Sequence, residues 1–296
     1  MKKTHEKKIV LITGTSSGFG YLTAKSLLEH GHTVIATMRD IKTRNAHVAK
    51  DLEALAIQTG SSLSLVEMDV TSDASVAIAA EDVMKKHTHV DVIVNNAGTL
   101  IMGISEAFTV DEIKEQFETN TFGPARVARA FLPSMRARRQ GLLIQVTSVS
   151  GRLVFPFFGH YSASKFAAEA LAETYHYELS SFGIESVIVE PGPYPSNIMS
   201  SSQGPRDEKR VSAYGELAKM PDAMKESFKE LFASENAPDA QDVADAIVGL
   251  VEQEGKRPLR TVVMPKGMEF GVDALNHSTQ DVQNTLLKSL QMESLI

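Results

Sequence analysis

Short β-rich runs that are apolar on both alternating faces, each followed by a helical pattern, are the feature that most narrows what this chain can become. They fall at 8–13, 33–38, 63–68, 90–94, 142–147, 184–190 and 259–264. A half-exposed strand would alternate apolar with polar residues. Continuous runs must instead be buried on two faces, which is how the strands of a parallel sheet read. Helical stretches lie between them at 44–59, 73–88, 111–139, 161–182 and 239–254, after a first helix at 21–30 that Gly31 stops. This alternation over ~250 residues predicts an α/β fold: a Rossmann-type, doubly wound parallel sheet of about seven strands with helices on both faces.

A chain of 296 residues can bury enough apolar surface to need no staples. It contains no cysteine, which removes disulfides, zinc–thiolate sites and thiol nucleophiles from consideration, and no metal is expected. A net charge of −7 argues against a sequence-independent hold on nucleic acid. The start is basic (MKKTHEKK), but the apolar run behind it covers only residues 9–12. A signal peptide needs an apolar core of roughly 7–15 residues and a membrane span ~20, so a cytoplasmic protein with no membrane contact is expected. Residues 1–296 read as a single domain with two interruptions. The first is an insertion at 194–236, where Pro221-Asp222 opens a helix with Met224, Phe228, Leu231 and Phe232 on one face. The second is a tail at 267–296 with a helical patch near 279–292.

Chemistry-bearing residues gather at the strand ends. Gly14-x-x-x-Gly18-x-Gly20 follows the first strand and opens a helix, the setting in which backbone N–H groups approach a pyrophosphate; a plain tight turn is the other reading. In nucleotide-binding sheets of this kind an acid at the end of the second strand holds the ribose hydroxyls, and a nearby Arg accommodates a 2′-phosphate. Met38 stands where the acid would be and Arg39 follows it, so NADP(H) is expected over NAD(H), although a shift of one position would bring Asp40 into play. Asn95-Asn96-Ala97-Gly98 follows the fourth strand and reads as a ligand-facing turn or an ordinary one. Tyr161-x-x-x-Lys165 places both side chains on one helical face. An ammonium ~4 Å from the phenol contributes roughly 4 kcal/mol at an effective dielectric near 20, which brings the phenol from ~10 toward ~7, where proton transfer works best. Ser148 ends the fifth strand, with Thr147 and Ser150 as rivals for a hydroxyl that faces the substrate oxygen.

Taken together, the glycine loop behind Thr13, Asn95-Asn96-Ala97-Gly98, Ser148 and Tyr161-x-x-x-Lys165 resemble, in order and spacing, the short-chain dehydrogenase/reductases, over about residues 7–200. The resemblance implies that Tyr161 is the general acid and base, that Lys165 holds the nicotinamide ribose, and that Ser148 orients the substrate oxygen. Asn120 matches the family's Asn that keeps a water for proton relay. Cofactor contacts would come from Gly14, Ser16, Ser17, Gly18, Phe19 and Gly20, and from Arg39. Asp69 and Val70, then Asn96, Ala97 and Gly98, would add to them, with Tyr161 and Lys165. The loop Pro191-Gly192-Pro193-Tyr194-Pro195-Ser196 departs from the family's Pro-Gly-x-x-x-Thr, with Ser196 supplying the hydroxyl beside Pro191, Gly192 and Tyr194. A homodimer or homotetramer through the helices at 111–139 and 161–182 is also implied.

Apolar residues at 153–158 lie between Ser148 and Tyr161, and Met102, Tyr194 and the stripe from Met224 to Phe232 could close over them. A bulky hydrophobic ketone or secondary alcohol is therefore the expected substrate, reduced rather than oxidised. Three alternatives stand beside that expectation. One is an NADP(H)-binding sensor or scaffold without turnover. Another is a sugar-nucleotide epimerase or dehydratase, which would need a larger C-terminal region. The third is nucleic-acid binding through Arg136-Ala-Arg138-Arg139, which also reads as a cation-rich helix end opposing the macrodipole.

Overall fold

The structure, a computed structural model, describes residues 6–295, so the first five residues of the basic start lie outside it. Its strands are β1 (Ile9–Thr13), β2 (Thr33–Met38), β3 (Leu63–Glu67), β4 (Val92–Asn95), β5 (Gly141–Val146), β6 (Ile184–Pro191) and β7 (Arg260–Val263). They form one sheet in the order β3-β2-β1-β4-β5-β6-β7, and every neighbouring pair is parallel. The order reverses between β1 and β4, and ligands of open α/β sheets bind outside the strand C-termini at such a point.

The unbroken apolar runs have a direct cause in the layers. Val10, Ile12, Val34, Ala36, Val92, Val94, Leu142 and Ile144 face a core formed with Ala24, Leu27, Leu52 and Ile247. Their neighbours Leu11, Ile35, Ile93 and Leu143 face a second core with Val76, Val83, Val127 and Phe131. The helices Gly18–Glu29, Ala46–Thr59 and Gln241–Glu252 thus cover one face, and Asp73–His87 and Gly123–Arg138 help to cover the other. Each fully buried aliphatic side chain contributes ~1.5–3 kcal/mol, so neither face can become polar cheaply.

Most bounds shift by a residue or two from the sequence reading, and three helices differ in ways that bear on the site. The first helix starts at Gly18 rather than 21, taking Gly18 and Gly20 into its opening turn. The helix expected at 161–182 runs Gly159–Ser180, which leaves Tyr161 in its first turn. The helix expected at 111–139 is three pieces: Val110–Phe117, closed by a Thr109–Glu112 capping box, a π-helical turn Glu118–Phe122, and Gly123–Arg138.

At the far end of that last piece, Arg138 donates to the Asp91 carboxylate at 2.7 Å and the Val90 carbonyl at 3.2 Å, while Arg139 donates to the Ser181 carbonyl. Arg138 thus ties the helix end to the chain entering β4, and Arg139 ties it to the end of the helix Gly159–Ser180.

The insertion carries the short helices Asn197–Ser200 and Glu208–Ala213 and the longer Met220–Ala233. An isolated parallel bridge, Ile101 to Gln203, pins it to the loop after β4. The tail helix, Val272–Ser289, begins earlier than the patch read from the sequence. No described helix is long and apolar enough to cross a membrane.

Candidate active site

The C-terminal ends of β1, β4, β5 and β6 converge, and each hands over one part of the site. After β1, the chain turns through Gly14 at φ +71° and Gly18 at φ +56°, a backbone region closed to most side chains. Gly20 lies so close to its neighbours that a Cβ would come within 2.4 Å of the Asn96 amide nitrogen and the Gly14 carbonyl. The helix Gly18–Glu29 starts behind Ser17 without a side-chain cap and without an acidic residue in its first turn. Its first backbone N–H groups are thus left for a partner, and an uncapped N-terminus favours an anion.

The turn after β4 holds that loop in shape. Thr13 Oγ1 accepts from the backbone N–H groups of Asn96 and Ala97, both at 3.0 Å. The Asn96 amide donates to the carbonyls of Thr13 at 2.8 Å and Gly14 at 3.2 Å. Asn96 therefore acts on the glycine loop, with its amide hydrogens spent there. The same holds for Asp69, whose Oδ1 accepts from the N–H and hydroxyl of Thr71 at 2.9 and 2.8 Å and so closes a local turn. Val70 is buried, and a Cβ on Gly123 would sit 3.0 Å from it.

Beyond β2, Met38 is in the core and Arg39 is exposed. Arg39 forms no ion pair among the described residues. Asp40 takes φ +53°, and the Asn45 amide donates to the Arg39 carbonyl at 2.6 Å, so the chain curls into a turn that also carries the exposed Lys42 and Arg44. The sequence alone does not single out Lys42 and Arg44; their place beside Arg39 comes from that positive-φ turn.

Ser148 settles the rivalry at the end of β5. Thr147 turns inward, its hydroxyl bonded to the Glu169 carboxylate and within 3.2 Å of the Val189 carbonyl. Ser148 Oγ accepts from the Ser150 N–H at 3.1 Å, lies 3.5 Å from the Pro191 carbonyl to which it donates, and faces the Tyr161 phenol, whose ionised form it favours. Behind the phenol, Lys165 Nζ donates to the Val146 carbonyl at 3.1 Å and lies 5.7 Å from the centroid of the Tyr161 ring. A Cβ on Gly98 would meet Lys165 Nζ at 3.7 Å and Asn120 Oδ1 at 3.5 Å, so three of the sequence motifs converge at one point.

The expected tuning of Tyr161 needs correction. Burial pushes its phenol up to about 12, with only the Ser148 hydrogen bond opposing, and burial lowers Lys165 to about 8. Desolvation acts on both groups and outweighs their attraction when both are enclosed. Tyr161 in this state is a firmly protonated acid next to a lysine that still carries charge at neutral pH.

Asn120 sits in the π turn and is 2% exposed. Its Oδ1 accepts from the Thr99 N–H at 2.9 Å, and its amide donates to the Thr99 carbonyl at 3.0 Å and Ser164 Oγ at 3.1 Å. Such π turns insert one extra residue and recur at functional sites. Here the turn brings an otherwise poor helix former to the loop after β4.

Two parts of the loop after β6 stand apart. A Cβ on Gly18 would lie 3.7 Å from the Ser196 side chain, so that serine reaches the glycine loop. A Cβ on Gly192 would strike Met264 at 2.5 Å, which ties this end of β6 to the chain after β7. Tyr194, expected to touch the cofactor or line the pocket, is 4% exposed: its ring packs edge-on to Phe19 and its hydroxyl bonds to Asp242 at 3.3 Å. It buttresses the glycine loop through Phe19.

Above Tyr161 lies an apolar cluster of Leu100, Met102 and Phe158, with Phe155, Phe157, Ile198, Met199, Met224 and Phe228 packed against it. Phe157 takes φ +71°, an outlying conformation for a bulky residue, and its carbonyl accepts from the Gly103 N–H at 2.9 Å. Phe232 stacks on Phe228 at 5.9 Å.

Comparison with known proteins agrees with this geometry. The family model for the short chain dehydrogenases matches residues 8–207. The Bacillus subtilis (strain 168) protein described as uncharacterized oxidoreductase YusZ is 33% identical over 86% of this chain and 88% of its own. Human retinol dehydrogenase 8 is 34% identical over 86% of this chain and 80% of its own. Among solved structures, a short-chain dehydrogenase from Streptomyces avermitilis superposes with a TM-score of 0.76 at 30% identity, covering 99% of this chain and 100% of that one.

Proposed function

The chain belongs to the short-chain dehydrogenase/reductase family, oxidoreductases that act on alcohol and carbonyl groups, and on that premise we propose that it reduces the carbonyl of a bulky apolar ketone with NADPH, Tyr161 delivering the proton. The observation that carries this reading is the buried Tyr161 phenol, faced by the Ser148 hydroxyl, on the floor of an apolar cluster, with the Lys165 ammonium behind. Ser148 holds the substrate oxygen. Tyr161, protonated throughout the neutral range, donates its proton to that oxygen as negative charge develops there. Lys165 supplies donors to the ribose of the cofactor and stabilises the phenolate left behind. When bound, the nicotinamide provides the hydride.

The protein fits such a cofactor: an uncapped helix start behind a positive-φ glycine loop for the pyrophosphate, and an exposed Arg39, without an ion pair among the described residues, for a 2′-phosphate. The roof of Met102, Phe155, Phe158, Met224 and Phe228 favours a large hydrophobic substrate, and the relative that acts on retinol is in keeping with that.

The test follows NADPH and NADH absorbance over ketones of graded size, with Tyr161→Phe as control. Turnover with NADPH that falls roughly 10²- to 10⁴-fold in the variant, with cofactor affinity by calorimetry kept, is the expected result. Cofactor binding without turnover on any ketone, or on alcohols with the oxidised cofactor, would favour a non-catalytic binding protein instead.

A further inference from the structure

Behind Lys165, on the side away from the substrate cluster, lies a buried set of charges that the proposed reaction leaves unused. Glu169 follows Lys165 by one helical turn and is 2% exposed. One of its oxygens accepts from the Thr147 hydroxyl and the other pairs with Arg260 of β7 at 3.0 Å. A Cβ on Gly151 would meet Glu169 Cγ at 2.9 Å, so the loop after β5 packs directly on this side chain. Arg260 also pairs with Glu173 at 2.6 Å and faces Glu190 of β6 at 3.4 Å. Glu190 accepts from the Asn276 amide of the tail helix at 2.6 Å, and Asn276 in turn accepts from Arg152 at 2.8 Å.

A buried carboxylate costs several kcal/mol of hydration, and an apolar residue in its place is often no worse for stability. Its effect is therefore worth seeking in what it faces. Lys165 is enclosed too, with a main-chain carbonyl as its hydrogen-bond partner, and Glu169 is the carboxylate whose charge acts on it. We propose that Glu169 is a positioning residue for Lys165: anchored by Thr147 and Arg260, its carboxylate keeps the buried ammonium charged at the pH where the site works. The proposal rests on the reading of Lys165 as the cation of the reacting site.

Every element packed around Glu169 contributes to the outcome. Thr147 and Arg152 come from the loop after β5, Glu190 from β6, Arg260 from β7, and Lys165 and Glu173 from its own helix; Asn276 of the tail reaches it through Glu190. Burial raises both carboxyls, and Glu190 goes up to about 8, with the charge of Glu169 adding to the effect. At Glu169 the Arg260 guanidinium and the Thr147 hydroxyl oppose the rise, so of the two Glu169 is the better placed to hold the charge. Desolvation alone lowers Lys165, and Glu169 opposes it.

The test titrates lysine side-chain signals of the ligand-free, ¹³C-lysine-labelled protein by NMR, with Lys165→Arg used to assign the signal. Glu169→Gln keeps the shape and the Thr147 contact, and it should move the Lys165 midpoint down by about one pH unit, a tenfold change in its proton affinity. Glu173→Gln strips the same Arg260 of an anion and should leave the midpoint in place, which a merely structural role for Glu169 would not distinguish. In the active enzyme, the alkaline limb of kcat/KM should follow the NMR shift. If Glu169→Gln does not fold, Thr147→Val removes the donor that favours the charged carboxylate and should shift Lys165 the same way. A midpoint unmoved in the folded variant overturns the proposal. Failure of ketone turnover in the wild-type protein would count against the proposed reaction alone, because the NMR arm needs no substrate or cofactor.

Discussion

In the proposed reaction, Arg39 is the residue on which the choice of cofactor would turn. It stands one position past β2, exposed, with the core residue Met38 in the place of a ribose-binding acid. A charge-assisted hydrogen bond contributes about 1.5–3 kcal/mol, so Arg39→Ala should weaken NADPH roughly 10- to 100-fold and leave NADH nearly unchanged. Calorimetry with both cofactors checks this; equal weakening of the two would point to Asp40 or to the neighbouring Lys42 and Arg44. At this scale the sequence, through residue type and spacing, points to Ser148, Tyr161 and Lys165, which the fold brings together. It is unreadable where chemistry depends on enclosure. The i, i+4 spacing places Tyr161 near Lys165, but spacing carries no information about burial, and burial moves the phenol up rather than down. Asn96, Asp69 and Tyr194 also make hydrogen bonds that spacing does not announce, to Gly14, Thr71 and Asp242.

Elements differ in legibility according to what defines them. Strands are legible because double-sided burial imposes a pattern on every residue, and all seven runs are strands of the sheet. The π turn is not, since Glu118–Phe122 has no composition that sets it apart from the helices on either side. What locates it is the contact of Asn120 with Thr99 and Ser164, both remote in sequence. The helix Met220–Ala233 lies between these cases. Its face of Met224, Phe228, Leu231 and Phe232 is periodic and readable; that Met224 and Phe228 pack on the cluster around Tyr161 is seen only in the fold, where the Ile101–Gln203 bridge also pins the insertion to the loop after β4. In this helix only Pro221 is fully buried, so the lid is held mainly by that apolar face. Met224→Ala with Phe228→Ala should therefore raise KM for bulky ketones about tenfold or more while small ketones change little, since even one methylene in a hydrophobic pocket is worth ~1–3 kcal/mol of discrimination. Equal effects on large and small substrates would show that the helix packs near the site without touching what binds there.

The whole molecule adds what no single element holds, a buried network joined across the sheet. The bond from Asn276 to Glu190 spans 86 residues, and no local pattern marks either partner for the other. The tail helix thereby closes over β6 and β7, outside the matched stretch 8–207. Its consequence can be read in the dependence of stability on pH. Glu190 is raised from 4.5 to about 8, so between those values the folded protein keeps a proton that the unfolded chain has released. Stability then falls as pH rises through that window, because the folded state binds more protons than the unfolded one. Glu190→Gln keeps the carbonyl that accepts from Asn276 and cannot ionise. It should match the wild-type Tm near pH 5 and exceed it at pH 8, on the order of 2–4 °C for each kcal/mol removed. Thermal unfolding of both proteins across pH 5–9 measures this directly. Parallel Tm curves would mean that Glu190 stays ionised in the folded state, with Arg260 meeting its charge, and would reverse the order of protonation that leaves Glu169 as the anion beside Lys165.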